Sequence, residues 1–143
     1  MPHAESSVTI ARPIEDVFAY LTDGERCPEW RPGVIAIRRV SGDGGVGTIY
    51  EQRVRGPMGR AIAADYAITV AEPPTRLEFQ TLTGPVRPHG RYVLESAGGS
   101  TRLTFALDAE LNGIRRMLLG SAVQKTMDAE VGTLENLRAR LEG

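Results

Sequence analysis

Apolar residues fall at every second position through most of the middle of the chain, and at helical spacing in one segment near the start and another at the end. Ser7 to Ala11 alternates, with Val8 and Ile10 on one face, and predicts a short strand buried on one side. Pro13 marks a helix start, because its fixed φ suits the first helical position. Glu15 and Asp16 favour the positive end of the helix dipole. Ile14, Val17, Phe18 and Leu21 recur at helical spacing, so the helix runs to about Thr22. The following segment, DGERCPEWRP from Asp23 to Pro32, holds two prolines and a glycine, which leaves room for a turn and at most one short helix.

The next stretch reads as strands: Val34 to Val40, Thr48 to Arg55, Arg60 to Ala71, Arg76 to Thr83, Arg91 to Ser96 and Thr101 to Glu110. Glycine- or proline-bearing turns separate them, namely SGDGG, GPMG, EPPT, GPVRPHG and AGGS. Ile62, Tyr66, Ile68 and Val70 share one face, as do Leu103, Phe105, Leu107, Ala109 and Leu111. Such alternation belongs to antiparallel strands with one wet face, since parallel strands read as continuous apolar runs and need helical crossovers.

From Ile114 to Leu141 the period changes, and Met117, Val123, Met127, Val131, Leu134 and Leu137 fall on one helical stripe. Asn112 offers an N-cap, and Arg138 and Arg140 lie in the last turn where cations suit the dipole. One amphipathic helix of about 40 Å is expected, at 1.5 Å per residue. Gly120 and Gly132 inside it cost about 1 kcal/mol each relative to alanine, which points to close backbone contact with the sheet or to a bend. A curved sheet with one apolar face and a helix with one apolar stripe cover each other. The predicted architecture is therefore α+β, in one domain: a seven-stranded antiparallel sheet around a long C-terminal helix, with one or two short helices after the first strand.

Composition narrows the function classes. The chain has 143 residues and a formal net charge of −1, from 17 basic and 18 acidic residues without a large cluster of one sign. Nucleic-acid binding is not expected, since phosphate affinity needs several cations on one surface. The single cysteine, Cys27, cannot form an intramolecular disulfide, and no zinc-type spacing exists, so no metal is expected and no cofactor either. The glycines Gly45 and Gly47 join two predicted strands, so they are turn residues without the helix N-terminus of a phosphate loop. MPHAESS lacks the apolar stretch of a secretory signal, and no apolar run approaches the ~20 residues that span a bilayer. A cytoplasmic chain without stable membrane insertion is expected, as a monomer or, by pairing of an exposed sheet edge, a homodimer.

Several segments together carry a resemblance: ARPIEDVFAYLTD at Ala11 to Asp23, Pro28-Glu29-Trp30, GDGGVGT at Gly42 to Thr48, VAEPPTRLEF at Val70 to Phe79, GGSTRLTF at Gly98 to Phe105, and the closing helix. In this order they resemble the START-like, or SRPBCC, superfamily (also called Bet v 1-like), within it the polyketide cyclase/dehydrase-like branch. The resemblance implies a helix-grip fold with a cavity between sheet and long helix. It transfers no catalytic set to numbered positions, and function must be argued from the site.

Candidate site residues are the polar and aromatic ones on predicted inward faces. Tyr50, Gln52 and Val54 share a face, Tyr66 points inward from the next strand, and Tyr92 from a later one; each tyrosine is either a core residue satisfied by backbone or part of a pocket. Phe79 joins them as a lining candidate. By resemblance, Trp30 closes one end of the cavity, or it is an anchor for its loop. Met117 and Met127 offer adaptable packing or plain core filling. His89, between Pro88 and Gly90, is a candidate acid or base or a solvated loop residue, and His3 lies at a frayed terminus. Glu51 and Arg53 form an expected surface pair and Asp65 an exposed neighbour of Tyr66; a register shift of one residue would turn all three inward as acid/base groups.

Three functions fit. The first is binding of a small hydrophobic or aromatic ligand, lipid- or polyketide-like, oriented by a tyrosine or glutamine; it predicts a closed apolar cavity. The second is a cofactor-independent cyclase, dehydratase or aromatase, which predicts an ionisable group facing the cavity. The third is a protein-interaction or co-chaperone-like module, which predicts a collapsed cavity and an exposed apolar patch.

Overall fold

In the computed structural model, which describes residues 2–143 other than 57, 58, 85 and 112 and leaves out the side chains of 114–119, the strands form one antiparallel sheet. They are β1 (His3–Ile10), β2 (Val34–Ser41), β3 (Ile49–Arg55), β4 (Ala61–Ala63), β5 (Tyr66–Glu72), β6 (Arg76–Thr81), β7 (His89–Ala97) and β8 (Ser100–Asp108). Seven follow the order β1-β8-β7-β6-β5-β3-β2, and β4 pairs with β3. The sheet curls into a half-barrel. Helix α1 (Ile14–Thr22) packs on β7 and β8, α2 (Gly113–Val131) on β1 and β8, and α3 (Leu134–Glu142) on β1. A 3₁₀ helix, Gly24–Glu29, follows α1. This is the helix-grip arrangement: α1 buries Ile14, Val17, Phe18 and Leu21, and the C-terminal stripe buries Val123, Met127, Val131, Leu134 and Leu137 against the apolar face of the sheet.

The structure departs from expectation in four places. The expected strand from Arg60 to Ala71 is two, β4 and β5, interrupted at Ala64 and Asp65. Both halves keep one register on β3, with Tyr50 opposite Tyr66 and Arg53 opposite Ala63, so the hydrophobic pattern passes through the break undisturbed. The expected single C-terminal helix is also two. Gly132 and Thr133 form the break, where a Cβ on Gly132 would stand 3.2 Å from the Asp128 carbonyl oxygen. Gly120, by contrast, lies within α2 with open space where a Cβ would stand; the structure offers no reason for a glycine there.

The other two departures extend strands. β1 begins at His3, not Ser7, because β8 runs on to Asp108 and offers it a partner. His3 is thus not frayed: its ring meets Asp108, and its backbone N–H donates to Gln124 Oε1 at 3.1 Å, tying the first strand to α2. β7 likewise begins at His89 rather than Arg91. The predicted cap Asn112 lies outside the described residues, as do the side chains of Ile114, Met117 and Leu118.

Candidate functional site

The concave face of the sheet is divided by a row of aromatic rings. Tyr50 and Tyr66, opposite each other on β3 and β5, stack with centroids 5.0 Å apart. Tyr66 lies 5.1 Å from Phe79 on β6, Phe79 lies 6.1 Å from Tyr92 on β7, and Tyr92 stacks on Phe105 of β8 at 4.5 Å. Such cross-strand aromatic pairs add stability beyond their buried area. Trp30 closes the row edge-on, 6.4 Å from both Tyr92 and Phe105. Two glycines make the fit possible: a Cβ on Gly24 would stand 2.7 Å from the Tyr50 ring, and one on Gly90 would stand 2.1 Å from Phe79.

Because the rings fill one end of the concavity, its other end stays open. There a cavity of about 380 Å³ lies between α2 and the wall formed by β3, β4 and β6, with Phe79 as its boundary to the aromatic row. Its walls are low because the side chains are small: Gly33, Gly56, Ala63 and Ala64 on the sheet side, Ala122 and Ala129 on α2. Val54, Ile62, Met127 and Leu107 supply the larger apolar surface. Ala63, Ala122, Thr126 and Ala129 line it and are also exposed, so the cavity opens to water beside α2 and is not the closed container expected. On the far side of Phe79 the rings of Tyr50, Tyr66 and Tyr92 border a space of about 20 Å³, room for about one water molecule.

Gln52 is the polar residue set most firmly in the cavity wall. It lies on β3 opposite the break between β4 and β5, where its backbone N–H donates to Asp65 Oδ1 at 3.1 Å and its carbonyl accepts from Ala64 N–H at 2.8 Å. The side-chain amide donates to the Ala64 carbonyl at 3.1 Å, which orients the amide group. Gln52 Oε1 is buried and receives no hydrogen bond among the described residues. A buried orphan acceptor costs about 1–3 kcal/mol, so it calls for an explanation.

Arg31 and Glu130, which sequence reasoning passed over, make the ionic feature of the wall. The Arg31 guanidinium is buried, and its Nε donates to Glu130 Oε1 at 2.9 Å, with Nη2 on the same oxygen. Nη1 faces Cys27 Sγ at 3.7 Å. Burial works against the arginine's charge, and its surroundings, the Glu130 carboxylate foremost with Cys27 and Tyr92, together more than offset it, so the guanidinium is held above its ordinary range. Glu130 follows Met127 by one helical turn and so flanks the apolar stripe, a placement visible in the sequence. Arg31, in a loop crowded with charges, carried no such signal.

The other expected site residues sort by position. Gln52, Phe79 and Met127 line the cavity. Tyr50, Tyr66, Tyr92 and Trp30 belong to the aromatic row: Tyr50 donates to the Thr22 carbonyl at 3.1 Å, and the Trp30 carbonyl accepts from Asn136 Nδ2 at 3.1 Å. Burial pushes the phenols of Tyr50, Tyr66 and Tyr92 up, so none is a base near neutral pH. Glu51 is exposed and bonds Arg38 on β2 at 3.1 Å rather than Arg53, because β2 is the hydrogen-bonded neighbour on that side. Asp65 is half-buried, not exposed, and its carboxylate serves the Gln52 backbone. His89 is not a free loop residue; its Nε2 lies 2.7 Å from Glu78 Oε1, and its strand neighbours Gly90 and Tyr92 take the inward positions. The Met117 side chain is outside the described residues.

The comparisons agree with this architecture. A family model described as polyketide cyclase / dehydrase and lipid transport matches residues 1–142. No curated protein matches the sequence. Among solved structures, the protein TTHA0849 from Thermus thermophilus is 24% identical with a TM-score of 0.83, over 98% of this chain and 97% of that one. A START superfamily protein from Mycobacterium smegmatis is 18% identical with a TM-score of 0.81, over 98% and 97% of the two chains. The Zhui aromatase/cyclase from Streptomyces sp. R1128 is 16% identical with a TM-score of 0.71, over 96% and 93%. At these identities the structures speak for the fold. With the family model spanning nearly its whole length, the chain belongs to the polyketide cyclase / dehydrase and lipid transport family.

Proposed function

We propose that this protein binds a small, mostly apolar molecule in the cavity between α2 and the β3, β4 and β6 wall. The observation that carries this reading is the space itself. Protein interiors pack to the density of organic crystals, yet about 380 Å³ is left open on the concave side of the sheet, bounded by Val54, Ile62, Phe79 and Met127. That volume lies within the range of small-molecule sites, roughly 300–1,000 Å³. The lipid-transport part of the family description is in keeping with it.

Nile red, a neutral dye that brightens in apolar surroundings, should bind saturably at one site per chain. The double variant A122L/A129L fills the cavity from α2 with residues that favour helix nearly as well as alanine. It should abolish the brightening while thermal unfolding stays cooperative. Brightening that survives in the folded double variant would place the dye elsewhere and remove the support for this reading.

The alternative, a cyclase or dehydratase, draws on Glu130, an ionisable group on the cavity wall. Its carboxylate oxygen Oε1 accepts two bonds from the buried Arg31, which makes it foremost a tie between the loop before β2 and α2. For that reason ligand binding is the preferred reading.

A further inference from the structure

Resting on the proposed binding site, we infer that the cavity selects neutral molecules that donate a hydrogen bond, and discriminates against carboxylates. The polar groups in its wall are unequally provided for. Gln52 Oε1 is a buried acceptor with no partner among the described residues, while the amide nitrogen beside it is held by the Ala64 carbonyl. No backbone or side-chain donor of the fold among those residues serves this oxygen, and the terminal torsion of a glutamine is soft. A turn of the amide about that torsion, which gives up its bond to the Ala64 carbonyl, offers the oxygen to a donor in the cavity. The buried charged donor of the wall, Arg31, is in the opposite position. Each nitrogen of Arg31 already has a partner, in Glu130 or Cys27.

A ligand carboxylate that approached Arg31 would stand beside the Glu130 carboxylate already bonded to it, where like charges repel. Arg55, which also lines the cavity, is exposed to water at its rim, and an ion pair there contributes little. A hydroxyl or N–H on an apolar body meets neither obstacle. It satisfies the orphan acceptor, and its apolar part occupies the space against Val54, Phe79 and Met127. A site built to bond a ligand hydroxyl rejects the analogue that lacks one, because its own polar group is then left unpaired.

Three probes of one shape separate the possibilities: naphthol, its methyl ether and naphthoate, each titrated by displacement of Nile red. Naphthol should bind about tenfold more tightly than the ether, the worth of one hydrogen bond, and more tightly than naphthoate. In Gln52→Leu the preference of naphthol over the ether should shrink towards none. Should that variant fail to fold, the unaltered protein still decides: the side-chain amide NMR signal of Gln52 should shift with naphthol and stay in place with the ether. Equal affinity for naphthol and the ether, or tightest binding of naphthoate, would overturn the selectivity but leave the cavity as a binding site. If no naphthalene binds and Nile red does not either, the binding reading itself fails.

Discussion

Glycine and glutamine, rather than the ionisable residues, shape this site at the level of single positions. Gly90 stands beneath Phe79, and a Cβ there would come within 2.1 Å of the ring. Gly90→Ala should push the phenyl towards the cavity and destabilise the fold by about 1–3 kcal/mol, the usual cost of an added methyl in a packed core. Urea unfolding measures the stability. Dye binding should weaken in the same variant, because Phe79 bounds both the cavity and the aromatic row. An unchanged unfolding midpoint would mean that the ring has room the structure does not show. The candidates on β3 differ for a related reason: Tyr50, Gln52 and Val54 share an inward face, as alternation requires, yet Tyr50 is locked in a stack while Gln52 and Val54 border open space. Periodicity reports the face a side chain takes and is silent on whether its neighbours fill the volume in front of it.

Elements are joined across the cavity by Arg31 and Glu130, one in the loop before β2 and the other on α2. Removing one partner leaves the other as an uncompensated, largely buried charge. Glu130→Ala should therefore cost about 3 kcal/mol, the lower end for a buried pair. Glu135→Ala, which breaks a bond to Arg138 on the exposed side of α3, should cost far less, because that pair stands in water. Equal losses in the two variants, by thermal or denaturant unfolding, would show that the Arg31 pair does not hold the loop to α2. The strands and helices themselves were largely legible, since alternation and helical spacing follow directly from burial on one face. The break at Ala64 and Asp65 was not, because no residue is inserted: the Asp65 carboxylate replaces a ladder partner for Gln52 N–H, and the pattern continues in register. The break at Gly132 was half legible, a glycine in a helical stripe being a known weak point.

At the scale of the molecule, a curled sheet needs an apolar filling. This chain supplies two, a row of aromatic rings at one end and the C-terminal helices along the side. The space between them persists because alanine and glycine line it. A cavity made by missing side-chain volume leaves almost no trace in hydrophobic periodicity, and so a cavity between sheet and helix was expected from the resemblance while its opening to water beside α2 was not. Among the described residues no helix is long and apolar enough to cross a membrane. The central claim is that this space admits a ligand, and a crystal structure of the protein soaked in naphthol tests it most directly. The account predicts the ring system between α2 and β3, against Val54, Phe79 and Met127, with its hydroxyl within hydrogen-bonding distance of Gln52 Oε1. Side chains of α2 filling that volume, or naphthol bound only on the outer face of the sheet, would contradict it.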